Sequence, residues 1–202
     1  MSQITLYTHA VSQSSEKIRW ALDYAGLAYR ERRLAPFVHR PRHVSAAGGL
    51  GTSVPVLEAD GASIADSTRI LEWLEQHRAP FSPVPRDAVV RAAVMSAEAR
   101  FDHAGVHLLR WTYATLLRQP ELALRLWSLD ANPLQALVLR TGLPLITRVF
   151  ERGLGLGAQQ LEHSRRVIDR VVQELNRAAT SGNAYLASPS FSVADITAAA
   201  LG

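Results

Sequence analysis

The chain contains no cysteine in 202 residues. Disulfides, thiolate metal ligands and a cysteine nucleophile are excluded together, and no redox clue to compartment remains. Lysine is nearly missing as well. Lys17 is the only one, so the rest of the 22 basic residues are arginine. The formal net charge is +4, yet the arginines are scattered among acids. Only Arg30-Glu31-Arg32-Arg33 and Arg40-Pro41-Arg42 are dense. No continuous basic face with interleaved aromatics is visible, so nucleic acid is not an expected partner. Long hydrophobic runs are also missing. The best candidate, Leu134 to Phe150, is interrupted by Arg140, Pro144 and Arg148. It falls short of the roughly 20 apolar residues a membrane span needs, and no membrane role is expected. Ile4-Thr5-Leu6-Tyr7 starts without a basic segment before it, which reads against a secretory leader. A cytoplasmic protein is the expectation.

Hydrophobic residues make up 48% and charged residues 20%, enough apolar material for a packed core. This length allows one large domain or two small ones. The most informative stretch runs from Ser53 to Glu75. Val54-Pro55-Val56-Leu57 reads as a short strand with proline at its entrance, where a missing N–H does least harm. Asp60-Gly61 is a tight hairpin signal between strands at 55–59 and 62–65. Asp66-Ser67 then caps a helix whose Ile70, Leu71 and Leu74 recur at helical spacing.

Ahead of that stretch, residues 3–8 alternate as a strand. A helix begins at Ser14 or Ser15, with Glu16 in its first turn. Ile18, Ala21, Leu22 and Ala25 form its apolar stripe, and Gly26 stops it. A second strand is expected from Ala28 to Leu34. With a helix between them, the two strands form a right-handed parallel unit. Residues 35–53 are irregular, with a short helix expected near 40–46. Pro80, Pro83 and Pro85 mark a linker. Beyond it only helical patterns appear, at 86–118, 120–127, 133–152 and 159–179. The last of these is expected to pack through Leu161, Ile168, Val171, Val172 and Leu175. Ser192 with Asp195 three residues on forms a capping box, flanked by the staple pair Phe191 and Ile196.

These stretches resemble the glutathione transferases. The strand–turn–strand–helix run at 53–75 is similar to the second half of their thioredoxin-like domain. Phe191-Ser192-Val193-Ala194-Asp195-Ile196 is similar to the start of a buried helix in their C-terminal domain. The resemblance spans residues 3–78 and about 158–202. It implies an α/β thioredoxin-like N-terminal domain, 1–79, a linker, 80–85, and an all-α helical-bundle C-terminal domain, 86–202.

The resemblance also implies a site. The Val54-Pro55 bond would be cis, with the Val54 backbone pairing with the cysteinyl unit of glutathione like an added strand. Asp66 and Ser67 would hold its γ-glutamyl end, and His39, Arg40 or Arg42 its glycyl carboxylate. The thiol would lie over the start of the first helix, near Tyr7, Thr8, His9, Ser12, Ser14 and Ser15. Ser12 is the first candidate to activate it and Ser15 the second, with Tyr7 behind them. Plain helix capping competes for both serines, and Gln13 stands where relatives carry proline. A serine hydroxyl would donate to a thiolate. Glutathione would then be a co-substrate attacking an electrophilic small molecule, in a homodimeric enzyme. The alternative is a non-catalytic glutathione- or protein-binding member of the same fold.

Two histidine spacings raise the question of a metal. His39-x₃-His43 and His103-x₃-His107 have metal-ligand spacing on a helix, but neither carries the glutamate of His-Glu-x-x-His. A structural or exposed role is expected for them, and no metal. Trp111, Tyr113 and Trp127 read as core or contact residues on helices.

Overall fold

The computed structural model describes residues 4–36, 54–78 and 83–202. His39, Arg40, Arg42, the segment at 47–53 and the first residues of the 80–85 linker lie outside those residues. The chain divides into two compact units. One comprises Met1–Ala79 with Gln119–Ile146, the other Pro80–Arg118 with Thr147–Gly202.

The first unit is built on a four-stranded sheet, β1 (Ile4–Thr8), β2 (Tyr29–Arg33), β3 (Val56–Ala59) and β4 (Ala62–Ala65), in the order β2-β1-β3-β4. β1 pairs parallel with β2 and antiparallel with β3, and β3 pairs antiparallel with β4. Lying between two partners, β1 buries Ile4, Leu6, Tyr7 and Thr8. A strand covered on both faces needs such a run in place of strict alternation. The edge strand β2 is mostly exposed and carries the charges of Arg30 to Arg33, as edge strands do to discourage further pairing. The β3–β4 turn has Asp60 at φ 52° and Gly61 at φ 80°. Two successive positive φ values define the turn that matches strand twist, and Asp-Gly tolerates both.

Helix α1 (Gln13–Tyr24) joins β1 to β2, and α2 (Ser67–His77) follows β4. The α1 stripe buries Ile18, Ala21 and Leu22, and α2 buries Ile70, Leu71 and Leu74. α1 begins one or two residues before the expected Ser14 or Ser15, because Ser12 supplies the cap. It ends in a Schellman arrangement. Gly26, at φ 64°, donates to the Asp23 carbonyl, and Leu27 donates to that of Leu22. The same unit includes α4 (Pro120–Trp127), where Ala123 and Trp127 are buried. Asp130, just beyond it, pairs with Arg33 of β2 at 3.5 Å.

The second unit is helical. Its elements are α3 (Ala88–Leu116), the end of α5 (Pro133–Leu154), α6 (Ala158–Thr180) and α7 (Val193–Ala199). α3 packs against both α6 and α7. Asp87 caps α3 by accepting from the amides of Val89 and Val90 at 3.0 and 2.9 Å. α7 buries Val193, Ala194, Ile196, Thr197 and Ala198 on the expected capping box. The Asp195 carboxylate accepts from the Ser192 amide and hydroxyl and from the Leu186 amide, at 2.7–2.9 Å.

Two helices differ from their sequence pattern. α5 runs through Gly153 to Leu154, two residues beyond the expected Arg152, and stops at Gly155. In α6, Val172 is 48% exposed, and the buried positions are Ser164 and Val167. Leu161, Ile168, Val171 and Leu175 are half-buried on the same face, so Val172 alone of the expected stripe turns outward. Among the described residues, no helix is long and apolar enough to cross a membrane.

Candidate functional site

Strand register brings three separated segments to one end of the sheet. Tyr7 pairs with Val56, and Val56 with Ala65. The chain leaving β1 at Thr8, entering β3 at Val54-Pro55 and leaving β4 at Asp66 therefore passes the same edge. Ser12, Val54, Pro55, Asp66 and Ser67 all sit there. The Val54–Pro55 peptide is cis. His39 is outside the described residues.

Ser12 is the N-cap of α1, half-buried, in extended conformation at φ −153°. Its Oγ accepts from the Ser15 amide at 3.3 Å and from the Ser15 hydroxyl at 3.0 Å. Ser15 is fully buried, and among the described residues its hydroxyl meets no other acceptor. The proton between them therefore belongs to Ser15, since the reverse would leave a buried donor unpaired. Both lone pairs of the Ser12 oxygen are then taken, and its own proton is left to donate. The oxygen also stands at a helix N-terminus, where partial positive charge collects.

Tyr7, the third candidate for thiol activation, is otherwise engaged. It is 2% exposed, and its hydroxyl donates to Glu58 at 3.0 Å. Burial, and then the bond and charge of Glu58, push its pKa above the usual tyrosine value. A phenol so placed is a poor acid and is turned along the sheet.

Asp66 caps α2 with one oxygen, Oδ1, which accepts from the amides of Thr68 and Arg69 at 2.9 and 3.2 Å. Its backbone lies at φ 81°, ψ 132°, a region disfavoured for residues with a Cβ and costing about 1–3 kcal/mol. Such conformations concentrate where a chain presents groups to a ligand. Asp66 itself is exposed, and its Oδ2 meets no described residue. Ser67 beside it is buried, and its hydroxyl makes no hydrogen bond to a described residue.

Behind the site lies a polar brace that the sequence pattern does not reveal. Arg19 of α1 donates to Glu31 of β2 through Nε at 2.9 Å and Nη2 at 2.7 Å. It also donates to Glu16 and to the His9 carbonyl. Thr8 adds a bond to Glu31 at 2.6 Å. Burial alone would raise the Glu31 pKa, but the bonds from Arg19 and Thr8 outweigh it and hold the carboxyl below its usual value. His9 approaches the Leu34 carbonyl through Nδ1 at 2.7 Å. A carbonyl only accepts, so the proton is on Nδ1. The turn from β1 into α1 is thus tied to β2 and α1 at His9. The available sequence signal was the lone Glu31 inside a run of arginines.

A mixed sheet of this order, with one helix joining parallel strands and a cis proline entering the next, defines a thioredoxin-like domain. Helices make up most of the described chain beyond it. Residues 6–82 match the family model described as glutathione S-transferase, N-terminal domain. No curated protein matches the chain. Among solved structures, a glutathione S-transferase from Rhodospirillum rubrum F11 is similar at 24% identity and TM-score 0.63, covering 98% of this chain and 76% of that one. The glutathione S-transferase from Methylobacillus flagellatus KT, solved with glutathione bound, is similar at 19% identity and TM-score 0.67, covering 98% and 81%. Human glutathione transferase theta-2, in complex with glutathione, is similar at 18% identity and TM-score 0.62, covering 98% and 70%. These likenesses establish the shared fold.

Proposed function

We propose that the chain binds glutathione at this end of the sheet and activates its thiol for attack on an electrophilic small molecule. Supporting this reading are the family match over residues 6–82 and the glutathione complexes of proteins sharing the fold. The observation that carries it is the Ser12 hydroxyl, whose oxygen already receives two hydrogen bonds from Ser15. Such a group donates and cannot act as a base. It therefore favours a thiolate over a thiol.

The Val54 backbone pairs with the cysteinyl unit, and the Asp66 carboxylate takes the γ-glutamyl ammonium. The Ser67 hydroxyl and the α2 N-terminus take its carboxylate, while His39, Arg40 or Arg42 takes the glycyl carboxylate. A hydrogen bond to an ion contributes about 1.5–3 kcal/mol. At about 1.36 kcal/mol per pKa unit, the thiol falls by roughly 1–2 units from about 8.5. The gain in thiolate is partly offset, because a weaker base is a weaker nucleophile. The active form is a homodimer in the cytoplasm, with the domain boundary at 80–85.

The second reading is a binding protein with the same ligand and no turnover. It is favoured by Gln13, which replaces the proline of relatives, and by the capping work that already occupies Ser12. Retention on immobilised glutathione, followed by a chlorodinitrobenzene assay of the wild type and Ser12→Ala, decides between them. Turnover that falls at least tenfold in the variant supports the enzyme. Binding without turnover sinks it, and absence of binding removes both.

A further inference from the structure

The second unit holds a cluster of imidazoles that the site does not use. His107 of α3 is 5% exposed, and Ser164 of α6 is completely buried. His107 Nδ1 lies 3.0 Å from the Ser164 hydroxyl. Arg110, one turn further along α3, donates through Nη1 to Ser164 at 3.0 Å and to His107 Nδ1 at 3.3 Å. Its Nε donates to the Leu154 carbonyl at the end of α5, at 2.6 Å. The rings of His103 on α3 and His163 on α6 stand edge-on to His107, with centroids 4.7 and 5.2 Å away. Both are exposed.

Proton positions follow from the partners. A guanidinium only donates, so Nδ1 of His107 must accept. The Ser164 oxygen accepts from Arg110, and its own proton finds no acceptor among the described residues except Nδ1. His107 is therefore neutral, with its proton on Nε2. Adding a proton to Nδ1 turns an N–H against the Arg110 N–H and strands the buried Ser164 proton.

Among the described residues, the surroundings offer the cation no compensation. α3 presents His103 and Arg110, and α6 presents His163 and Arg170. α7 buries only Val193, Ala194, Ile196, Thr197 and Ala198, and its one acid, Asp195, is held by Ser192 and Leu186. On the outer side of α6, Glu162 is paired with Arg165.

We infer that His107, Arg110 and Ser164 form an acid-sensitive clasp that holds α6 to α3 at neutral pH and releases it on acidification. Burial first, then the neighbouring cationic groups, holds the His107 pKa below the usual imidazole value, in keeping with this geometry. Opening is therefore coupled to proton uptake. The clasp is fully made above the ordinary histidine pKa of about 6.5 and weakens as pH falls below it, by up to about tenfold per pH unit for one proton.

Amide hydrogen exchange on the full chain tests this, with rates corrected for the intrinsic pH dependence and α1 as internal reference. Between pH 7.5 and 5.5, α6 opening should rise at least fivefold relative to α1. His107→Asn, whose amide oxygen accepts from Arg110 and Ser164 without titrating, should remove that rise. A wild-type change below twofold, a parallel change in α1, or a persisting rise in the variant overturns the clasp. Should the variant fail to fold, nitrogen-15 spectra of the wild-type imidazole at pH 8 decide. Nε2–H supports the clasp and Nδ1–H refutes it.

Discussion

Replacing Ser12 by alanine removes two things at once, and the structure separates them. The first is the cap of α1, an oxygen accepting the Ser15 amide at 3.3 Å. Losing an N-cap side chain costs about 1 kcal/mol, with a range of about 0.5–2. The second is the one acceptor that a fully buried hydroxyl, that of Ser15, meets among the described residues. Leaving a buried donor unpaired costs about 1–3 kcal/mol. Ser12→Ala should therefore destabilise the protein by about 2–4 kcal/mol. Ser15→Ala alone keeps the amide cap and replaces a paired hydroxyl with a methyl group, so it should cost no more than about 1 kcal/mol. The double variant removes the stranded hydroxyl and should recover about 1–3 kcal/mol relative to Ser12→Ala. Urea unfolding followed by circular dichroism, across all four proteins, yields the coupling energy. Values that add within about 0.5 kcal/mol would mean the serines are independent. They would refute both the proton assignment and the outward-donating Ser12 on which the thiolate argument rests. The same series corrects the activity comparison, because turnover must be expressed per folded molecule.

Arg19→Met should destabilise by about 1–3 kcal/mol, since Glu31 keeps only Thr8 and the His9 carbonyl loses a donor. The pH dependence should change with it. The Glu31 pKa is depressed in the fold, so its contribution is present above the ordinary carboxylate value of about 4.3 and lost as pH falls. Urea midpoints below pH 5 should therefore decline less steeply in Arg19→Met than in the wild type. Gly61→Ala meets no atom within 4 Å but must hold φ 80°, so a loss of about 1–2 kcal/mol from backbone strain alone is expected in thermal melts. Asp195→Ala removes the acceptor of three hydrogen bonds around α7 and should cost about 2–4 kcal/mol. Limited proteolysis should then cut the 158–202 region before the sheet.

How far a residue could be read from the sequence depended on how local its causes were. The β1–α1–β2 unit, the Asp60-Gly61 hairpin and the α2 cap each follow from spacing or turn chemistry within a dozen residues. They fold as that chemistry dictates. Ser12 was legible as a candidate only through the family resemblance of the turn from β1 into α1, and the direction of its proton was not. That depended on Ser15 meeting no other acceptor among the described residues, a property of the packed interior. Glu31 looked like one acid in a basic run until β2 was laid beside β1 and α1 brought Arg19 over it.

His107 shows the limit most clearly. The spacing His103-x₃-His107 reports only that two imidazoles share a face of one helix. Their chemistry is decided by what the opposite helix supplies, and α6 supplies a hydroxyl and a third imidazole in place of a carboxylate. Had a glutamate stood at position 164, accepting from Arg110 and His107 alike, it would have stabilised a protonated imidazole. Acid would then tighten the contact. With serine there, the hydrogen bonds require the neutral ring, and the same spacing on α3 makes a contact that acid opens.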